Sequence, residues 1–143
     1  MSKLDRRNQA KQKRATNHLD HTRANSVFAG RDGAPRIVAV IPLCEDVFVD
    51  AAIRGLNQSL DINDDIVSPG LTQVHVDRFK QKLVYMTVGR ELVPVLDACR
   101  LADYVLLVLS AEQEVDEFGE DVIRCIESQG ISNVFTAVQV SNW

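Results

Sequence analysis

No phenylalanine, tyrosine or tryptophan occurs in residues 1–27, and no glycine or proline precedes Gly30. The first absence turns recognition there mainly toward backbone phosphates. The second leaves the opening segment without a helix breaker. The chain has only three cysteines, Cys44, Cys99 and Cys125, far apart and without a C-x-x-C pair. They read as reduced, mostly buried thiols rather than as a metal or redox site. No apolar run is long enough to cross a bilayer, and no charged-then-apolar leader opens the chain. A soluble, intracellular protein without a membrane partner is the expectation.

With 143 residues and 45% apolar content, there is enough material for one domain with a core. The net charge of −4 hides a division. Residues 1–31 carry eight basic side chains against two acids, a balance of +6, and residues 32–143 carry eight against eighteen, a balance of −10. A basic arm for nucleic acid joined to an acidic globular body is the reading this supports.

The arm, residues 1–28, has helix-favouring residues but no apolar stripe wide enough to dock it. On a helical wheel Lys3, Arg7, Lys11 and Arg14 share one face by i, i+4 and i+3 steps, with Arg6 and Lys13 beside them. Six like charges repel, so the isolated helix is marginal and phosphates would relieve the repulsion. Without aromatics, contacts go to phosphates, which position a protein without reading sequence. A solvated tail is the competing reading. His18-x-x-His21, with Asp20 between, has too few ligands in register for a metal clip, and solvation or RNA contact suits it better.

Residues 29–35, Ala29-Gly30-Arg31-Asp32-Gly33-Ala34-Pro35, form a breaker-rich linker. The body, residues 36–143, then alternates. A strand is predicted over Ile37–Ile41, ended by Pro42, with Asp46 capping the following helix. Val49, Ala52, Ile53, Leu56 and Leu60 make that helix's apolar stripe. An acidic loop, Asp61 to Asp65, leads to Thr72–Phe79, which turns near Lys80-Gln81 into Leu83–Val88 as an antiparallel hairpin. A helix over Glu91 to Leu101 buries Leu92, Val95, Leu96 and Cys99 and tolerates Pro94 in its first turn. Tyr104–Leu109 is a continuous apolar run, expected as a central parallel strand. A helix from near Val115 to the C-cap Gly130 buries Val115, Val122, Ile123 and Ile126, and Val134–Val140 is the last strand. The result is a doubly wound α/β sheet with one reversed strand, in the order of a P-loop GTPase up to its fifth strand.

In a P-loop GTPase the turn after the first strand holds phosphates with glycines, a Lys and a Ser or Thr. Here Pro42, Leu43, Cys44, Glu45 and Asp46 occupy that turn, without glycine or lysine and with two acids that repel a triphosphate. If Gly89 is the glycine of D-x-x-G, Met86 stands at the aspartate position, where a thioether is a poor holder of magnesium-bound water. The guanine-reading N/T-K-x-D positions correspond to Val140, Ser141, Asn142 and Trp143, without the acid. These three failures together argue against nucleotide hydrolysis by the usual mechanism. A phosphoacceptor receiver domain also places acids after its first strand and a hydroxyl such as Ser110 after a later one. The chain has neither the aspartate near Met86–Val88 nor the lysine near Val140-Ser141 that such a domain needs. Glu45 and Asp46 are explained more simply as helix-start acids favoured by the macrodipole. The acidic run from Glu112 to Asp121 lacks the glycine and spacing of an EF-hand loop, and reads as a solvated helix start or a surface for a basic protein.

Longer runs carry a resemblance. Leu96-Asp97-Ala98-Cys99-Arg100-Leu101-Ala102-Asp103 joins Tyr104–Ser110, then Glu112-Gln113-Glu114-Val115-Asp116-Glu117-Phe118-Gly119-Glu120, then Glu127-Ser128-Gln129-Gly130-Ile131. With Ser2-Lys3-Leu4-Asp5-Arg6-Arg7-Asn8-Gln9-Ala10-Lys11 and Gly30-Arg31-Asp32-Gly33, the chain resembles, over nearly its whole length, the eukaryotic pre-40S ribosome assembly factors named for 20S pre-rRNA accumulation. The resemblance implies a body built like a translational GTPase that has lost nucleotide chemistry, with an N-terminal helix inserted into rRNA of the immature small subunit. It implies a factor that hinders premature subunit joining and translation-factor binding during 20S pre-rRNA maturation. The further domains of that family, and a more basic segment before Met1, are not in this sequence, so an N-terminal piece of a longer protein is expected.

The residues expected to bind rRNA are Lys3, Arg6, Arg7, Lys11, Lys13, Arg14 and Arg23. The expected partners are 18S/20S pre-rRNA, small-subunit ribosomal proteins and other pre-40S assembly factors. Nucleolus and nucleus are the expected locations, with late particles in the cytoplasm. No catalytic residue, cofactor, metal or small-molecule substrate is expected. The alternative is a guanine-nucleotide-binding GTPase of ribosome assembly with a non-standard P-loop.

Overall fold

A computed structural model describes residues 3–28, 33–63 and 67–140, with side chains over 5–17, 33–63 and 67–140. Two compact units result, residues 1–34 and 35–143. The first is one helix, α1 (Lys3–Phe28), 26 residues long with Asp5 in its first turn, where a carboxylate favours the dipole. Every side chain from 5 to 17 is exposed, as expected of a helix without an apolar stripe.

The second unit runs β1 (Arg36–Pro42), α2 (Val49–Ser59), β2 (Leu71–Val76), β3 (Gln81–Thr87), α3 (Leu92–Leu101), β4 (Tyr104–Ser110), α4 (Glu117–Ser128) and β5 (Val134–Gln139). Its sheet has the order β2-β3-β1-β4-β5. β1 pairs in parallel with β3 and β4, β4 in parallel with β5, and only β2 runs antiparallel, against β3. The mostly parallel sheet with one reversed strand is the predicted architecture.

The β-branched run of β1 is buried on both faces. On one side Ala39 and Ile41 join Val95, Ala98 and Cys99 of α3 and Val122 and Ile126 of α4. On the other, Val40 joins Ile53 of α2, Val74, Tyr85 and Val108. Successive residues alternate between the two clusters because side chains alternate across a pleated strand. β4 serves both clusters in the same way, through Val105 and Leu107 on one face and Val108 on the other. β5 forms one border of the sheet and leaves Phe135, Val138 and the following Val140 exposed.

Several boundaries differ from the sequence reading. β1 runs one residue further at each end than predicted, with Pro42 its last residue, in register with Val108. β2 stops at Val76, and the turn occupies Asp77–Lys80, with the Phe79 N–H donating to the Val76 carbonyl and Lys80 at φ +49°. Ile123 is exposed rather than buried: Val122 and Ile126, one turn apart, take the inward positions, and the residue next to Val122 then points outward. Leu96 is half-buried, and Ala98 takes the interior place beside Cys99. α4 ends as predicted, with Gly130 at φ +68°, the left-handed region where glycine carries no Cβ penalty.

Candidate functional site

The helical arm displays Arg6, Arg7, Lys11, Lys13 and Arg14 on an exposed surface. Lys3 and Arg23 are on the same helix, but their side chains lie outside the described residues, as do those of His18 and His21. Thr16 is satisfied within the helix, its hydroxyl donating to the Gln12 carbonyl at 2.9 Å. The short segment from 5 to 14 thus concentrates five cations with only Asp5 among them.

In the body, the parallel strands β1, β3 and β4 deliver their following loops to one rim of the sheet, the place where α/β folds of this kind bind ligands. The turn after β1 does not form a cradle there. Leu43 and Cys44 are each 1% exposed and belong to the core cluster between the sheet and α3 and α4. Pro42 has no N–H to offer. The Leu43 N–H donates to the Val108 carbonyl at 2.9 Å, and the Val47 N–H to the Cys44 carbonyl at 3.4 Å. The Phe48 N–H donates to Oε1 of Gln139 at 2.9 Å. Three backbone donors of this segment, those of Leu43, Val47 and Phe48, are therefore spent inside the protein.

The turn is also stitched to its neighbours. Ser110 at the end of β4 donates its hydroxyl to Oδ2 of Asp46 at 2.5 Å and accepts from the Glu112 N–H at 3.1 Å and the Gln113 N–H at 3.2 Å. The Cys44 thiol points to the Gln113 carbonyl at 3.7 Å. Gln139 closes a second link to Phe48, its amide donating to the Phe48 carbonyl at 3.4 Å. Below the turn, Gly119 of α4 lies directly against the Leu43 backbone. On the far side Arg90, after β3, pairs with Asp116, and its guanidinium carbon is 4.7 Å from the centroid of the Phe118 ring.

Asp46 does not cap α2. That helix begins at Val49 with Phe48 at the N-cap and no side-chain cap bond, because Asp46 is already engaged by Ser110. Nor are Glu45 and Asp46 first-turn acids; Asp50 holds that place. Asp116 is the side-chain N-cap of α4, with Oδ1 accepting the Gly119 N–H at 2.9 Å. Burial pushes its carboxyl up, but the Gly119 N–H and the Arg90 guanidinium outweigh that and hold it below the ordinary carboxylate value.

Around these stitches two clefts open. One, of about 530 Å³, is lined by Asp46, Asp50, Arg54, Ser110 and Glu112 among others. It offers three carboxylates against one guanidinium. The other, of about 590 Å³, is lined by Glu45, Arg90, Asp116, Glu117 and Phe118. Met86, at the position where a magnesium-organising aspartate would stand, packs against the core cluster. Gly89 has open space around its Cα. Of the four positions compared with the guanine-reading motif, Val140 is exposed and the last three residues lie outside the described ones.

Sequence reasoning did not single out Arg90, Gly119 or Gln139. For Asp116 a signal existed, an acid three residues ahead of Gly119 at the start of an apolar-periodic stretch. Nothing local marks the other three, since their partners lie 26, 76 and 91 residues away in the chain.

Comparison with known proteins places these features in a family. The profile of the family described as Tsr1, G-like domain, matches residues 36–142. The ribosome biogenesis protein tsr1 of Schizosaccharomyces pombe is 40% identical over 144 residues, which cover 96% of this chain and 18% of that protein. The pre-rRNA-processing protein TSR1 homolog of Xenopus laevis is 27% identical over 154 residues, covering 100% of this chain and 18% of its own length. The homolog of Homo sapiens is 26% identical over 143 residues, with shares of 97% and 18%. The chain spans 18% of the length of each of these curated relatives.

Proposed function

The chain belongs to the Tsr1 family through its G-like domain, and from that premise we propose that it serves small-subunit ribosome assembly without acting as an enzyme. Its arm binds immature 18S/20S pre-rRNA through Lys3, Arg6, Arg7, Lys11, Lys13, Arg14 and Arg23. Its body occupies space, so that subunit joining and translation-factor binding are blocked while the rRNA matures. Small-subunit ribosomal proteins and other pre-40S assembly factors are its neighbours, in the nucleolus and nucleus first and on late cytoplasmic particles afterwards.

One observation carries the non-enzymatic reading: the side chains of Leu43 and Cys44, in the turn that would cradle phosphates, are core residues. A phosphate-binding loop must turn backbone N–H groups outward, and extracting these two side chains from the core would cost several kcal/mol, at about 1.5–3 kcal/mol for a side chain of leucine size. The carboxylates of the neighbouring cleft add repulsion toward a triphosphate. The exposed cations from Arg6 to Arg14 support the rRNA reading.

Two measurements on the full-length protein test this. Replacing Lys3, Arg6, Arg7, Lys11, Lys13 and Arg14 together with glutamine weakens binding to small-subunit rRNA and flattens its salt dependence, by up to about 0.9 log units per lost contact on duplex. An unchanged slope would mean that the arm is not the anchor. Titration with a fluorescent guanine nucleotide and magnesium gives no saturable signal. Micromolar binding that disappears when Pro42–Asp46 is mutated would establish the GTPase alternative instead.

A further inference from the structure

In nucleotide-driven switches of this fold the loops at the sheet rim are held by a γ-phosphate and its magnesium and relax when the phosphate leaves. The described rim contains a protein group that bridges the same kind of loops. Arg90 lies in the loop between β3 and α3, one residue after Gly89, and its Nη2 donates to Oδ2 of Asp116. The other carboxylate oxygen of Asp116 accepts the Gly119 N–H. Gly119 in turn is the residue packed on the carbonyl of Leu43, in the turn after β1. A single carboxylate thus joins the β3–α3 loop to the head of α4, and α4 bears on the turn.

We infer that Arg90 is a built-in staple, a positioning residue that keeps the β3–α3 loop, the start of α4 and the turn after β1 in one conformation without any ligand. The geometry favours a real contribution over a decorative surface pair. The two side chains are only 25% and 31% exposed, so water screens them less than a surface pair. Stacking on Phe118 holds the guanidinium plane, which lysine does not reproduce. Glu45 of the turn and Glu117 line the same cleft as Arg90 and Asp116.

The inference concerns the free protein and stands apart from whether the arm grips rRNA. Amide hydrogen exchange of the full-length protein tests it with Arg90→Ala, Arg90→Lys and Asp116→Asn. Asparagine still caps a helix, so Asp116→Asn keeps the N-cap and removes the ion pair. Peptides covering 87–92 should exchange about tenfold faster or more in all three variants, while those covering 36–42 and 104–110 keep their protection. The double variant Arg90→Ala/Asp116→Asn should be no faster than either single one, since both remove the same link. Unchanged loop exchange in Asp116→Asn, or equal acceleration of loop and strand peptides, would overturn the staple. Should Arg90→Ala fail to fold, Asp116→Asn alone decides.

Discussion

Gly119 sits so close to Leu43 that a Cβ built on it would come within 2.4 Å of the Leu43 carbonyl oxygen and 2.6 Å of Cγ1 of Val115. The first is backbone and cannot step aside as a long side chain could. The first turn of α4 therefore closes the space beneath the turn after β1, and only a residue without a side chain fits there.

Gly119→Ala should destabilise the protein by about 1–3 kcal/mol, the usual cost of overpacking a filled interior. Gly55→Ala is the matched control. Gly55 lies inside α2 with nothing within 4 Å of a built Cβ. Alanine there gains helix propensity and should stabilise by about 0.4–1 kcal/mol. Urea midpoints of the two variants should move in opposite directions, and a neutral Gly119→Ala would mean that helix and turn are not in contact.

Asp116 makes a prediction about acid. Its folded-state carboxyl lies below the ordinary value of 3.8, so the folded protein favours the ionised form more than the unfolded chain does. The stability it contributes is fully present above that ordinary value and is lost as pH falls through the lower folded-state value. Asp116→Asn should therefore be less stable than the parent at pH 6, and the gap should narrow steadily below about pH 4. Urea unfolding at pH 6, 4 and 3 reads this directly. A gap independent of pH would assign the effect to packing.

Much of the body was legible because its local signals agree. The run Tyr104–Leu109 and the β-branched start of β1 can be buried only between two layers, and Gly130 ends α4 by its backbone freedom. What was not legible depends on partners distant in sequence. Asp46 reads locally as a helix cap, but Ser110, 64 residues on, takes its carboxylate, and the turn from Cys44 to Val47 delays α2 to Val49. Asn57 shows the same limit. This polar residue of α2, outside the predicted apolar stripe, is 2% exposed, and its backbone carbonyl accepts the Leu60 and Ile62 N–H groups.

Ser110→Ala should cost about 1–3 kcal/mol, because it leaves the half-buried Asp46 carboxylate without its donor and removes the acceptor for two backbone N–H groups. Ser59→Ala is the contrast. The Ser59 hydroxyl donates to the Leu56 carbonyl on an exposed face of α2, and its loss should stay within about 0.5 kcal/mol. Thermal unfolding of both variants checks the pair, and equal losses would mean that the Ser110 link contributes nothing special.

The outer flank of β5 has one more consequence. With Phe135 57% and Val138 62% exposed and no further strand beside it among the described residues, this flank has both the oily side chains and the open peptide groups that let one copy zip onto another. Solubility of the isolated chain will accordingly depend on how crowded the sample is. Lysine placed at either of these two positions is the simplest means of keeping concentrated samples dispersed.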